Sequence, residues 1–186
     1  MWQRQGRQRA RGPLWLLLSI MLWVSSAPAQ ATGNLAAGIE LFENGQLAAA
    51  RQFFESFVIE YPADAAGPFY LGRIVYEEEQ YDRAVEWFEK AVAGAERKSE
   101  YHLWLGRSYG QKAKQANVVQ QPLLAKKVKG HFETAVMLDP NNIEARYALM
   151  EYYSTAPVLL GGSKEKAREQ AEEIRKRDVS KSQTRR

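Results

Sequence analysis

The sequence predicts an all-α fold, a right-handed α-solenoid of about four helix–turn–helix hairpins. Two observations lead to this prediction. Glycines recur at one constant spacing inside segments that otherwise have helical patterning, at Gly38, Gly72 and Gly106. Twelve positions after each of the first two glycines stands an alanine, and a phenylalanine follows four positions later. Such a spacing places both side chains on one face of a second helix.

Residues 1–29 have the pattern of a secretory signal peptide. Four arginines and no acid precede the apolar stretch 14–24, and small residues follow at Ala27 and Ala29. As a helix, an apolar stretch of this length would reach about 16 Å, well short of the ~30 Å hydrocarbon core of a bilayer. We therefore expect cleavage near Ala29 rather than retention as a membrane anchor, and export to a bacterial periplasm.

Residues 34–64 form the first predicted unit and residues 65–98 the second. In both units the first helix contains the glycine, and the second helix presents alanine and phenylalanine toward it. These second-helix residues are Ala50, Phe54, Ala84 and Phe88. Because glycine costs about 1 kcal/mol of helix propensity, we expect Gly38 and Gly72 where two helix backbones approach closely.

The third unit, residues 99–142, is longer than the first two. Phe132 and Pro140 stand where the repeat requires a phenylalanine and a closing proline, but about ten residues late for the period. The additional residues lie around 114–124. The second helix of this unit is predicted over 123–138.

The fourth unit, residues 143–178, is interrupted at "STAPVLLGG" and resumes after Ser163, which is predicted to cap the next helix. The apolar stripe of that helix is narrow, as a terminal helix without an outer neighbour requires. It consists of Ala167, Ala171 and Ile174. The basic tail 179–186 is expected to be disordered.

Taken together, these residues resemble the tetratricopeptide repeat family, whose outline is W-x2-L-G-x2-Y, then A-x3-F, then P. The segments "PFYLGRIV", "YDRAVEWFEKAV" and "HLWLGRSY" follow this outline, with Pro68 and His102 in the tryptophan position. The resemblance covers residues 34–178 and is greatest to exported bacterial members without an assigned activity. It implies a protein-binding solenoid.

The available residue types argue against a catalytic or metal site. The chain has no cysteine, and its two histidines, His102 and His131, fall on different predicted helices, with His131 expected at the surface. The consecutive acids of "YEEEQYD" (76–82) point in different directions and do not converge. We expect no enzyme activity, no cofactor and no metal ion.

The first helices of stacked hairpins should line a concave groove, so residues beside each glycine are candidates for partner binding. The predicted groove residues are Phe69, Arg73, Tyr76, Leu103, Arg107 and Tyr147. One hypothesis is that Arg73 and Arg107 bind carboxylates of a threaded peptide, since a guanidinium offers two parallel donors. The alternative is that both arginines form ordinary ion pairs between helices.

Charge is distributed unevenly along the chain. Residues 30–96 carry twelve acids and four bases, whereas residues 97–186 carry eighteen bases and ten acids. This leaves three kinds of partner open: an exported protein in the groove, a second copy of the chain, or an anionic membrane or envelope polymer docked on the basic insertion 107–129. Nucleic acid is not expected, because the chain is net neutral once residues 1–29 are left out.

Overall fold

The computed structural model describes the backbone of residues 27–184 and the side chains of residues 35–178. Within these residues eight α-helices follow one another, and no strand is present. The helices are α1 (Ala27–Glu43), α2 (Leu47–Glu60), α3 (Ala66–Glu77), α4 (Tyr81–Gly94), α5 (Ser99–Gln115), α6 (Gln121–Leu138), α7 (Ile143–Thr155) and α8 (Lys164–Thr184). A 3-10 turn, Val158–Leu160, lies between α7 and α8. This architecture confirms the predicted all-α fold of helical hairpins.

The helices pair as hairpins, α1 with α2, α3 with α4, α5 with α6, and α7 with α8. Each odd-numbered helix also contacts the next odd-numbered helix. In the described part of the chain, the backbones of α2 and α4, of α4 and α6, and of α6 and α8 do not pack on each other. Only long side chains bridge them, as in the ion pair between Lys127 of α6 and Glu89 of α4. The odd-numbered helices therefore lie side by side on the concave face, and we call them the inner helices. The even-numbered helices diverge on the convex face.

Each repeat glycine lies where an inner helix crosses its partner. A Cβ atom placed on Gly72 would lie 2.8 Å from the Phe88 ring, and one placed on Gly106 would lie 2.6 Å from the Phe132 ring. Gly38 faces phenylalanine rings of α2 in the same way. Carbon atoms in contact are about 3.5–4.0 Å apart, so the rings occupy the space that any side chain would need.

Buried side chains form two clusters along the solenoid. The first joins α1, α2 and α3 and contains Ala50 and Phe54, both 0% exposed. The second extends from α3 to α8 and contains Ala84, Phe88 and Phe132. The alanine and phenylalanine of α2 and of α4 thus form the centre of the core, between those helices and the inner ones.

A repeated hydrogen bond joins neighbouring units. The Tyr109 hydroxyl of α5 donates to Glu89 of α4, and the Tyr153 hydroxyl of α7 donates to Glu133 Oε1 of α6 at 2.6 Å. Burial and these hydrogen bonds raise the pKa of both tyrosines. Both hydroxyls therefore remain protonated donors at neutral pH.

The chain turns into the fourth unit at Pro140, two residues after the C-terminal end of α6 at Leu138. The Pro140 carbonyl oxygen accepts a hydrogen bond from Nε of Arg146 at 2.7 Å. Arg146 is only 6% exposed, and its guanidinium also donates to Gln170 on α8 at 2.9 Å. This buried arginine links the turn to the terminal helix.

Both insertions lie where an inner helix turns into its outer partner. In the third unit, residues 116–120 connect α5 to α6, and α6 begins at Gln121, slightly earlier than predicted. Pro122 is tolerated there, because the first turn of a helix does not use its backbone N–H. In the fourth unit, residues 156–163 connect α7 to α8.

The last helix corrects the prediction of a disordered tail from residue 179. It continues to Thr184, and no glycine or proline interrupts the sequence between Lys164 and Thr184. Ala167 and Ile174 of this helix are 8% and 5% exposed, as expected of its narrow apolar stripe.

The predicted signal peptide falls almost entirely outside the described residues. The helix α1 begins at Ala27 and includes Ala29, whereas the apolar stretch 14–24 is not described. Export and cleavage therefore remain predictions. Between residues 27 and 184, no helix is both long and apolar enough to cross a bilayer.

Candidate functional site

Two arginines of neighbouring inner helices pack on one tryptophan. The guanidinium carbon of Arg73 on α3 lies 3.8 Å from the ring centroid of Trp104, and that of Arg107 on α5 lies 4.7 Å away. Arg73 also lies 4.9 Å from the centroid of Phe42 on α1. Each such contact contributes about 0.5–2 kcal/mol. We call Arg73, Trp104 and Arg107 the arginine–tryptophan cluster.

The two arginines differ in their polar partners. Arg107 donates to Glu144 Oε2 of α7 at 3.1 Å, but the Glu144 side chain is 69% exposed. An exposed ion pair of this kind contributes about 0–1 kcal/mol. The alternative, that both arginines form ordinary ion pairs between helices, therefore holds for Arg107 only among the described residues.

Arg73 has no carboxylate within 4.0 Å among the described residues, and its Nε is buried without a hydrogen-bond partner. Burial lowers the pKa of Arg73, while the charges of Glu100 and Glu77 act in the opposite direction. The guanidinium remains charged, because arginine side chains do not lose their proton in proteins. Among the described residues, Arg73 is thus a cation held by aromatic rings and not by a carboxylate.

A cleft of about 560 Å³ adjoins Arg107, between α5, α6 and α7. This volume lies in the range of about 300–1,000 Å³ that is typical of ligand pockets. Its apolar lining includes Tyr76, Val128, Tyr147 and Tyr152, and its polar lining includes Arg107, Gln111, Lys114, Glu144 and Glu151. The cleft can take a bulky apolar side chain next to the arginine.

Four of the six predicted groove residues meet at this place. Arg107, Tyr76 and Tyr147 line the cleft, and Arg73 shares the Trp104 ring with Arg107. The geometry brings them together because the inner helices are adjacent.

The other two predicted groove residues, Phe69 and Leu103, are core residues. They are 3% and 1% exposed, and the Phe69 ring stacks on Tyr101 of the next inner helix at 4.5 Å. Each of the two residues stands three positions before the repeat glycine of its helix, and the following inner helix covers that position. Tyr147 stands at the equivalent position of α7. No further inner helix follows α7 in the described chain, and Tyr147 is 50% exposed.

Trp104 is the residue that sequence reasoning missed. It stands two positions before Gly106, where an aromatic residue on a helix is usually part of a core. A signal was present, since Tyr70 stands two positions before Gly72 in the preceding unit. In both units an aromatic residue is followed three positions later by an arginine, and this repeated spacing is the sequence signal.

The two histidines meet although they lie on different helices. Nδ1 of His102 is 3.1 Å from Nδ1 of His131, and Nε2 of His102 is 2.9 Å from the carbonyl oxygen of Glu96. Since a carbonyl oxygen only accepts, neutral His102 carries its proton on Nε2 and accepts at Nδ1 from His131. The prediction of a surface position for His131 is wrong, because its ring is partly buried against His102 and Tyr109.

The histidine pair is not joined by further metal ligands. Among the side chains described, no group of three or more histidine, aspartate and glutamate residues is placed to hold a metal ion.

The histidine pair predicts a loss of stability in acid. Burial, followed by the charges of His102 and Lys127, lowers the pKa of His131 to about 4, against an opposing effect of Glu89. The unfolded chain, with a pKa near 6.5, binds more protons than the folded chain as pH falls from about 6.5 to 4. Because the ring is partly exposed, we expect the free energy of unfolding, measured in urea, to be lower at pH ~5 than at pH ~7.5 by on the order of 1 kcal/mol.

The control for this prediction is His131→Gln, which keeps a polar side chain but cannot titrate. In this variant the free energy of unfolding should differ much less between the two pH values than it does in the wild type. An unchanged pH dependence in His131→Gln would show that other groups cause the effect.

No protein-family model and no curated protein matches the sequence. Solved structures do match. A structure of MamA, residues 41 to the end, from Desulfovibrio magneticus RS-1 has a TM-score of 0.62 at 19% identity, covering 81% of this chain and 76% of that one. YrrB, described as a TPR protein with an unusual peptide-binding site, has a TM-score of 0.60 at 20% identity, covering 80% and 69%.

A third solved structure is the first TPR of Spaghetti (RPAP3) bound to the HSP90 peptide SRMEEVD. It has a TM-score of 0.57 at 18% identity and covers 67% of this chain and 90% of that one. These likenesses confirm that the chain has the tetratricopeptide repeat fold.

Proposed function

We propose that this protein is a non-catalytic scaffold that binds an extended segment of another protein along its concave face. The observation that carries the proposal is the arginine–tryptophan cluster. Arg73 is packed on aromatic rings, without a carboxylate partner among the described residues. Arg107 packs on the same tryptophan and lines the open cleft, where a guanidinium can offer directed hydrogen bonds to a ligand.

The charges around the cluster define the ligand more closely. Arg73 and Arg107 favour a carboxylate, and the exposed Glu144 is a weak competitor for Arg107. Glu77 and Glu100 lie close enough to influence Arg73, so a run of many acids would be repelled. The ligand we propose has one or two carboxylates next to an apolar side chain that enters the cleft.

Two of the similar solved structures support a peptide as the ligand class. YrrB is described with a peptide-binding site, and the RPAP3 domain holds a peptide that contains acidic residues. The N-terminal arginines, apolar stretch and small residues of this chain support export. The proposed partner is therefore another protein of the bacterial envelope.

A charge swap separates ligand binding from ion pairing between helices. Short random peptides would first be selected by display on the immobilised protein, and the tightest would be synthesised. In Arg107→Glu/Glu144→Arg the pair between α5 and α7 is retained with reversed polarity. We expect its free energy of unfolding to stay near the wild-type value, while the selected peptide binds about thirtyfold more weakly, because one charge-assisted hydrogen bond is lost.

The single variant Arg107→Glu serves as the reference for the swap. If Arg107 acts only as the partner of Glu144, the double variant would regain both wild-type stability and wild-type affinity for the peptide. That result would overturn the assignment of Arg107 to ligand binding.

A further inference from the structure

Five large aliphatic side chains are exposed on the two insertions. In the third unit Val118 is 80% exposed, Val119 87% and Leu123 63%; in the fourth unit Val158 is 83% exposed and Leu159 98%. Single exposed apolar residues are common in soluble proteins, but several on neighbouring loops mark an interaction site.

The two insertions lie on the same edge of the solenoid. The Tyr152 hydroxyl is 2.6 Å from the Leu160 carbonyl oxygen and 3.1 Å from that of Ala125 on α6. The backbone of Gly161 lies against the side chain of Lys129, also on α6. The 3-10 turn is therefore held beside the first turns of α6. We call residues 116–123 together with 157–161 the insertion tip.

The backbone of the insertion tip is ordered by local contacts rather than by its valines and leucines. The Asn117 side chain accepts hydrogen bonds from the backbone N–H groups of Val119 at 3.1 Å and Gln120 at 3.0 Å. Gly161 has a φ of +93°, and Gly162 packs against the carbonyl of Ala156. Since these contacts fix the loops, the exposed aliphatic side chains are free to act on a partner.

Lysines surround the insertion tip. Residues 101–132 contain six lysines and arginines and no acid, and α8 adds two lysines and Glu165 in its first turn. The exposed lysines close to the tip in sequence are Lys114, Lys126, Lys164 and Lys166, whereas Lys127 donates to the Tyr109 hydroxyl. The surface thus combines protruding aliphatic side chains with a positive border.

We propose that the insertion tip docks on an anionic lipid bilayer, with the valine and leucine side chains among the lipid headgroups and upper acyl chains and the lysines against phosphates. Lysine is depleted in protein–protein interfaces, where aromatic residues, methionine and arginine are enriched. The tip has the opposite composition, which suits an anionic membrane surface. The tip also supplies Gln121, Pro157 and Leu160 to the border of the cleft, so the docked protein would hold its groove next to the membrane surface.

The test is vesicle co-sedimentation with phosphatidylglycerol–phosphatidylcholine vesicles and with phosphatidylcholine vesicles alone. The protein is expressed with its own N-terminal segment. It is then purified as the cell produces it, whether or not that segment has been cleaved. The tip variant is Val118→Ser/Val119→Ser/Val158→Ser/Leu159→Ser. The control variant is Ile59→Ser/Met137→Ser, which removes side chains 81% and 71% exposed on α2 and near the C-terminal end of α6.

We expect the wild type and the control to bind the anionic vesicles and to bind phosphatidylcholine at least about tenfold more weakly. The tip variant should bind anionic vesicles at least about tenfold more weakly than the wild type. High salt should weaken but not abolish wild-type binding, because the apolar contribution is not screened. All three proteins share the same N-terminal segment, so differences between them report on the tip.

Four results would overturn the proposal. Equal binding of the tip variant and the wild type, or no preference for anionic vesicles, would exclude bilayer docking by this surface. In one of these results the wild type binds soluble polyphosphate but not vesicles, and the serine substitutions do not weaken that binding. The lysines would then bind a polymer and not a bilayer. A dimer in sedimentation that the tip variant loses, without vesicle binding, would assign the tip to a second copy. Circular dichroism and peptide affinity should be unchanged in the tip variant.

Discussion

Replacing Gly106 with leucine should lower the free energy of unfolding by roughly 3 kcal/mol. The Cβ position at this residue is already 2.6 Å from the Phe132 ring, so α5 and α6 must separate to admit a side chain. Leucine also has a better helix propensity than glycine by up to about 1 kcal/mol, which offsets only part of the loss. Urea unfolding followed by circular dichroism measures the difference.

The matched control lies one turn further along the same helix. A Cβ on Gly110 would meet no atom within 4 Å, and the residue borders the open cleft. Gly110→Leu should therefore leave stability unchanged or raise it by up to about 1 kcal/mol. Similar losses in the two variants would contradict close helix crossing as the reason for the repeated glycine.

The hairpins and their core positions could be predicted because they depend on spacing within one unit. The regular recurrence of Gly38, Gly72 and Gly106 identifies the inner helices, and the alanine–phenylalanine pairs identify the outer ones. Each glycine and its phenylalanine lie in the same hairpin, so periodicity alone is sufficient to pair them.

The groove was harder to predict, because its composition depends on contacts between units. Helical periodicity shows that Phe69 and Leu103 share a face with the arginines, but only the neighbouring inner helix decides that they are covered. Trp104 has the spacing of a core residue, and its contact with Arg73 crosses from one unit to the next.

The histidine pair could not be predicted for a related reason. His102 lies one turn before Gly106 and His131 directly precedes Phe132, so both stand near the crossing of α5 and α6. Spacing along the sequence places them near this crossing, but it does not show that the two rings turn toward each other, with their Nδ1 atoms 3.1 Å apart.

The central claim is that the concave face binds a peptide through the arginine–tryptophan cluster. The most direct measurement is the dissociation constant of the selected peptide, by titration calorimetry, for the wild type and for Arg73→Glu/Arg107→Glu. The charge-matched control is Arg97→Glu/Arg168→Glu, at two exposed arginines away from the cluster. Two charge-assisted hydrogen bonds contribute about 3 kcal/mol or more together, which corresponds to about a hundredfold change in affinity.

We expect the cluster variant to lose about a hundredfold in affinity for the peptide, with its helical content intact, while the control binds as the wild type does. Equal affinities of the cluster variant and the control, in folded proteins, would show that the peptide binds elsewhere and would contradict the account.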